Sequence, residues 1–185
     1  MSRSCQINLS RFSPINLFRQ RLPGSSILLI SMLLVTMNVS ALELPTGRVV
    51  LQASGNISVT NVGETAQFDL KMLEKLPMTS FVSTTPWTEN THRWEGVLMS
   101  DFLRYIGAGS QSFRASALDD YHVQVEGIDF SKYPIILALK RDGKRMRIRD
   151  KGPIWLMFPW DDYPEIHNDT NVAFSVWQLS EIRID

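Results

Sequence analysis

The chain has almost no cysteine: one, Cys5, in 185 residues. That residue lies in a segment that reads as removable, which leaves a working protein without a thiol. Disulfides, thiolate nucleophiles and thiolate-held metals are therefore excluded. Histidine is scarce too. His92, His122 and His167 are scattered, without the spacing that sets two imidazoles on one metal-binding helix. No glycine-rich phosphate loop, dinucleotide fingerprint or Gly-x-Ser-x-Gly elbow occurs. No repeat, low-complexity tract or linker follows residue 45. The apolar run over 27–35 is shorter than the roughly 20 residues of a membrane span.

The N-terminus holds Arg3, Arg11, Arg19 and Arg21 and no acid, then the apolar run, then Val39-Ser40-Ala41. A basic region, a short apolar region and small residues at a cleavage position make a secretory signal over 1–41. No two arginines are adjacent, so the signal is of the Sec type rather than twin-arginine. The expected location is the periplasm, entered unfolded, with no stable membrane span left after cleavage. A cofactor inserted in the cytoplasm would not survive that route. The remainder, 42–185, is 144 residues, the size of one domain. It keeps 15 basic against 19 acidic side chains, a formal charge of −4, which excludes a general nucleic-acid binder.

The coarse pattern predicts an α+β domain. Strands are expected over 47–53 and 78–84, with a polar loop through Thr91. Asp69 caps a short helix over 70–76 that Pro77 stops, and Ser100 or Asp101 caps a second that Gly107 ends. Residues 121–126 alternate, which places Tyr121, Val123 and Val125 on one face. The run 135–139 is continuously apolar, as an interior strand is, and Asp142-Gly143 signals a hairpin. A return strand is expected to carry Arg145, Arg147 and Arg149 opposite Met146 and Ile148. Strands over 154–158 and 176–184 complete the set. Short helices among many strands, without regular βαβ alternation, point to mixed sheets.

Three polar groupings compete for a functional role. The basic cluster Arg141, Lys144, Arg145, Arg147, Arg149 and Lys151 reads as a solvated strand face rather than an anion-binding stripe. The acidic segment 160–169 matches no calcium loop and reads as polar loop, with an aromatic patch near Trp160 and Tyr163. The third is Thr84-Thr85-Pro86-Trp87 with Arg93-Trp94, joined by Asp119-Asp120-Tyr121. It mixes hydroxyls, aromatics and charge as a ligand pocket does, though the same residues suit core and turn caps.

These segments carry a likeness. Phe81-Val82-Ser83-Thr84-Thr85-Pro86-Trp87, Arg93-Trp94-Glu95-Gly96-Val97-Leu98, Ala117-Leu118-Asp119-Asp120-Tyr121, Pro134-Ile135-Ile136-Leu137-Ala138, Asp150-Lys151-Gly152-Pro153-Ile154-Trp155 and Ser175-Val176-Trp177-Gln178-Leu179 follow in order. Together they resemble the molybdopterin-binding domain of sulfite oxidase-like oxidoreductases over roughly 46–185. The resemblance implies an α+β domain with a mixed, curved β-sheet and short helices. It also implies a molybdenum held by one cysteine near the strand end before the Trp-bearing loop. Here that neighbourhood reads Ser83-Thr84-Thr85, and Val176 stands where the family has a basic residue before its last tryptophan. A neutral hydroxyl is a poor ligand for a soft-metal site, and a missing cation weakens phosphate binding.

The expectation that follows is an exported molybdopterin-oxidoreductase-like domain without cofactor, acting as a periplasmic ligand- or partner-binding module. The pocket would be lined by Thr84, Trp87, Arg93, Trp94, Asp120, Tyr121 and Lys151. Its partner would be a small anionic or aromatic ligand, or a membrane sensor or periplasmic protein. The alternative is a genuine molybdopterin-dependent oxidoreductase, performing oxygen-atom or two-electron transfer with Thr84 in place of the cysteine.

Overall fold

The computed structural model describes residues 42–185, and the signal read over 1–41 lies outside the described residues. In chain order the elements are β1 (Val49–Gly55), β2 (Ala66–Asp69), α1 (Leu70–Glu74), β3 (Met78–Thr85), β4 (Thr88–Leu98), α2 (Met99–Tyr105), β5 (Phe113–Ala117), β6 (His122–Val125), β7 (Ile136–Arg141), β8 (Lys144–Arg145), β9 (Trp155–Met157), α3 (Asp169–Phe174) and β10 (Leu179–Ile184). The domain is α+β, with few and short helices. Where the resemblance implies one curved sheet, the strands divide between two, in keeping with the mixed sheets that the residue pattern predicts. The first has the order β2-β1-β10-β5-β6, and the second β3-β4-β7-β8 with β9 paired to β7. The parallel β1–β10 pair makes the first sheet mixed.

The centre of the second sheet, β9 and most of β7, is buried on both faces, which explains its apolar runs. Along β7, Leu137 and Leu139 enter the main core, while Ile136 and Ala138 enter a second, smaller cluster. In β9, Leu156 faces the main core, and Trp155 and Met157 face the second. The main core also takes Leu51, Phe68, Phe113, Val125 and Ile182 from the first sheet, with Leu73, Phe102 and Phe174 from the helices. Gly96 lies where β4 bulges against β7, and a Cβ there would come within 2.0 Å of the Leu137 carbonyl oxygen. Only glycine permits that approach.

Several sequence expectations need correction. The polar stretch after Trp87 is not a loop: Thr88–Leu98 is an eleven-residue strand whose pairing with β3 closes a tight Pro86-Trp87 turn. Its distal end is exposed, so nothing selects apolar residues there, and the ladder to β3 supplies the strand instead. Neither Ser100 nor Asp101 caps α2, which begins at Met99 without a side-chain cap. The Met99 N–H donates instead to the Ile135 carbonyl (2.9 Å), and Asp101 bonds Arg104 inside the helix. The arginine strand stops at Arg145. Met146 is buried, the Arg147 carbonyl accepts the N–H groups of Asp150 and Gly152, and a 3₁₀ turn (Ile148–Asp150) follows. The basic side chains are therefore not one stripe: Arg145 pairs with Glu74 and Arg147 with Asp150.

Five carboxylates have their pKa held below the ordinary range. The Met72 N–H leads for Asp69, Arg145 for Glu74, the Ser131 hydroxyl for Asp129, the Arg93 N–H for Asp142, and Arg147 for Asp150. A folded-state pKa below the unfolded one stabilises above the unfolded value and is lost as pH falls through the folded one. Unfolding midpoints in urea are thus expected to be flat from neutral pH down to about 5 and to fall steeply below about 4. A midpoint unchanged from neutrality down to about pH 2 would contradict this reading.

Candidate functional site

The β3–β4 turn, the cap of β6, the turn before β9 and the segment after α3 meet at a tryptophan cluster. Trp94 and Trp155 are fully buried and form its floor, their rings 5.2 Å apart and nearly perpendicular. Trp155 also lies 5.9 Å from Trp87 and 6.0 Å from Trp177, and Trp87 and Trp177 meet edge to face at 5.3 Å. The Trp155 N–H donates to the Ser175 hydroxyl (3.0 Å), which itself donates to the Leu156 carbonyl. The Trp94 N–H donates to the Ser83 carbonyl (3.1 Å). The floor is thereby held in one orientation.

Above it is a cavity of about 130 Å³ whose aromatic walls are Trp87, Tyr121 and Trp177 and whose remaining wall is the end of α3. The Tyr121 hydroxyl donates to the Ala173 carbonyl (3.0 Å), pinning that side chain across the opening. The Lys151 ammonium sits 3.9 Å from the centre of the Trp177 ring and 5.8 Å from that of Trp155.

The backbone here is strained. Asp120, Lys151 and Gln178 all have left-handed φ, at 67°, 67° and 49°. Each such residue costs on the order of 1–3 kcal/mol and persists only where its surroundings fix it. The Gln178 N–H donates to the Lys151 carbonyl, the Leu118 N–H to the Gln178 carbonyl, and the Gln178 amide to the Ile148 carbonyl. Strain of this kind collects at ligand sites.

Of the seven residues expected to line a pocket, Trp87 and Tyr121 line this cavity, while Trp94 and Lys151 join the tryptophan cluster beside it through Trp155 and Trp177 without lining it. Three stand apart. Thr84 is exposed and bonds both oxygens of Asp161, through its N–H (2.8 Å) and its hydroxyl (2.6 Å). Arg93 adjoins Trp94 on β4 and so points to the opposite face, where it is exposed near Glu95 (3.6 Å). Asp120 is an exposed turn residue whose carbonyl meets His122. The aromatic patch near Trp160 is also corrected. Trp160 is 1% exposed, stacked between Phe158 and His167, and Tyr163 packs edge to face on Tyr133. Trp155, Trp177 and α3 were absent from the expected pocket. The count of five tryptophans and Asn168, which caps α3 by accepting the Asn171 N–H, were the available signals.

The molybdenum–pterin group that the resemblance implies does not fit these residues. The Ser83 hydroxyl is buried, donating to the Thr84 carbonyl and accepting the Asp161 N–H. The Thr85 hydroxyl meets that of Thr88 and accepts the Trp87 N–H. All three hydroxyls of this segment are neutral, hard and already bonded. The cavity, about 130 Å³, is also below the roughly 300 Å³ at which ordinary ligand pockets begin.

No family model matches this chain. No curated protein matches it either. The functional reading therefore rests on the residues and on the geometry of the tryptophan pocket.

Proposed function

We infer that this is an exported, cofactor-free domain of the sulfite oxidase-like fold that binds a small aromatic acid between Trp87, Tyr121 and Trp177. The observation that carries the reading is the Lys151 ammonium, 3.9 Å from the centre of the Trp177 ring, which is itself a wall of the cavity. Among the described residues it contacts two indole rings and pairs with no carboxylate. A lysine over an indole contributes only about 0.5–1 kcal/mol where partly exposed, so an anion can recruit it. A single ring matches the cavity and would pack edge and face against the two indoles. The signal over 1–41 supports a periplasmic setting, and the absence of a thiol supports a reading without molybdenum. A membrane sensor or periplasmic protein could use the same pocket by offering an aromatic side chain beside a carboxylate.

Titrating the mature protein with benzoate and, separately, with benzylammonium tests this through tryptophan fluorescence. Benzoate is expected to bind at least about tenfold more tightly than its cationic counterpart, with Trp177→Ala abolishing binding and Lys151→Met removing the preference. No response to benzoate, or equal response to both ions, would overturn the reading. The same protein, made in a molybdenum-replete host and analysed by mass spectrometry, is expected to carry no stoichiometric molybdenum. Near-stoichiometric metal with releasable pterin would instead establish the oxidoreductase alternative.

A further inference from the structure

A larger cavity lies elsewhere: a groove of about 600 Å³ between β1, α1, the β8 turn and the start of β10. Its volume falls within the range of small-molecule sites, roughly 300–1,000 Å³. Part of its wall is apolar: Val49, Leu118 and Ile148, all at least 40% exposed, line it together with buried Met146. Isolated exposed apolar residues need no explanation, but a cluster on one concave surface does.

Charge gives the groove a direction. Six charged side chains line it: Arg48, Lys71, Arg145, Arg147, Asp69 and Glu181. Asp69 is satisfied by the N–H groups of Thr46, Gly47 and Met72, Arg145 by Glu74, and Arg147 by Asp150. Arg48, Lys71 and Glu181 have no ion pair among the described residues. Asp69 lies opposite Val49 in the β1–β2 ladder and bonds Gly47, which draws Arg48 and Lys71 to the same end. Arg145 joins them through Glu74, on the same short helix as Lys71. Glu181 stands opposite Gln52, three residues further along β1, or about 10 Å away. One end is therefore cationic, the wall beyond it is apolar, and the single free carboxylate lies away from that end.

We propose that this groove is a second binding site, for an anionic amphiphile: an acidic head between Arg48 and Lys71 and an aliphatic chain along Val49, Ile148 and Leu118. It is separate from the tryptophan pocket and does not depend on that reading. A fatty acid and an alkyl phosphate share the required chemistry.

Calorimetric titration with decanoate, with decyl phosphate and with decyltrimethylammonium, all below micelle formation, tests the proposal. Decanoate is expected to bind with a Kd below about 1 mM and at least about tenfold more tightly than the cation. The double variant Arg48→Glu/Lys71→Glu, both exposed, is expected to keep the thermal midpoint and reverse that preference. Ile148→Asp is expected to weaken both anions by about tenfold or more, and Trp177→Ala to leave them unchanged. Whichever anion binds more tightly separates a carboxylate head from a phosphate head. Absence of binding, equal affinity for anion and cation, or loss of binding in Trp177→Ala would each overturn it.

Discussion

Trp155→Ala is expected to lower the unfolding free energy by about 3–5 kcal/mol. Trp155 is fully buried and touches Trp87, Trp94 and Trp177, so truncation opens a void on the outer face of the second sheet that no exposed side chain can fill. It also leaves the Ser175 hydroxyl without the donor it accepts from, although that hydroxyl keeps its own bond to Leu156. The loss is therefore mainly of packing. Trp155→Phe is expected to cost less, about 1–2 kcal/mol, since most of the volume stays. Denaturant unfolding followed by far-ultraviolet circular dichroism measures both, because fluorescence would change with the indole itself. Trp177→Ala is the contrast. Trp177 is half-buried at the rim, and its removal is expected to cost little stability while abolishing benzoate binding. A Trp155→Ala loss below about 1.5 kcal/mol would show that the cluster is loose and cannot hold a preformed pocket.

Asp69→Ala is the second large effect, with an expected loss of about 2–4 kcal/mol from the cap and from the donors it strands. This carboxylate is 3% exposed. One oxygen accepts the Met72 N–H (2.9 Å) and caps α1, and the other accepts the N–H groups of Thr46 (3.0 Å) and Gly47 (2.8 Å). It ties the segment entering β1 to the start of a helix of only five residues, too short to persist without packing and capping. Asp69→Asn retains one acceptor but turns an amide N–H₂ toward two backbone donors, so a substantial part of the loss remains. Both variants are expected to lose some of the steep acid sensitivity, because one lowered carboxylate is gone. A thermal midpoint within a degree or two of the parent for Asp69→Ala would refute the tethering role.

How much was legible in advance depends on the element. The Asp69 cap, the β7 core strand and the Asp142-Gly143 hairpin were readable because their signals are local. A cap needs one carboxylate at one place, and a strand buried on both faces must be apolar at every position. The Asp142-Gly143 turn has φ of 51° and 74°, the left-handed pair that such dipeptides favour. The first half of β4 was not readable, because its residues are polar and only the partner strand makes them a strand. The end of the arginine strand was hidden for a similar reason: its alternation is genuine, yet burying Met146 and closing the Arg147 turn break the ladder. The pocket was half legible. Trp87, Tyr121 and Lys151 were in view, but neighbours in sequence such as Arg93 and Trp94 were grouped although a strand sends them to opposite faces.

By itself the sequence determined the α+β class, the absence of cysteine from 42–185, the mild negative charge of that segment and the positions of several turns. These depend on composition, period and local backbone preference, which each short window carries within itself. The tertiary structure alone decided that the strands form two sheets, that Trp177 joins Trp87 around one cavity with Trp155 packed against both, and that Arg48 and Lys71 line one groove with Arg145. Those are meetings between segments far apart in the chain, as Gln52 and Glu181 are, set by which apolar faces bury each other rather than by any spacing along the chain.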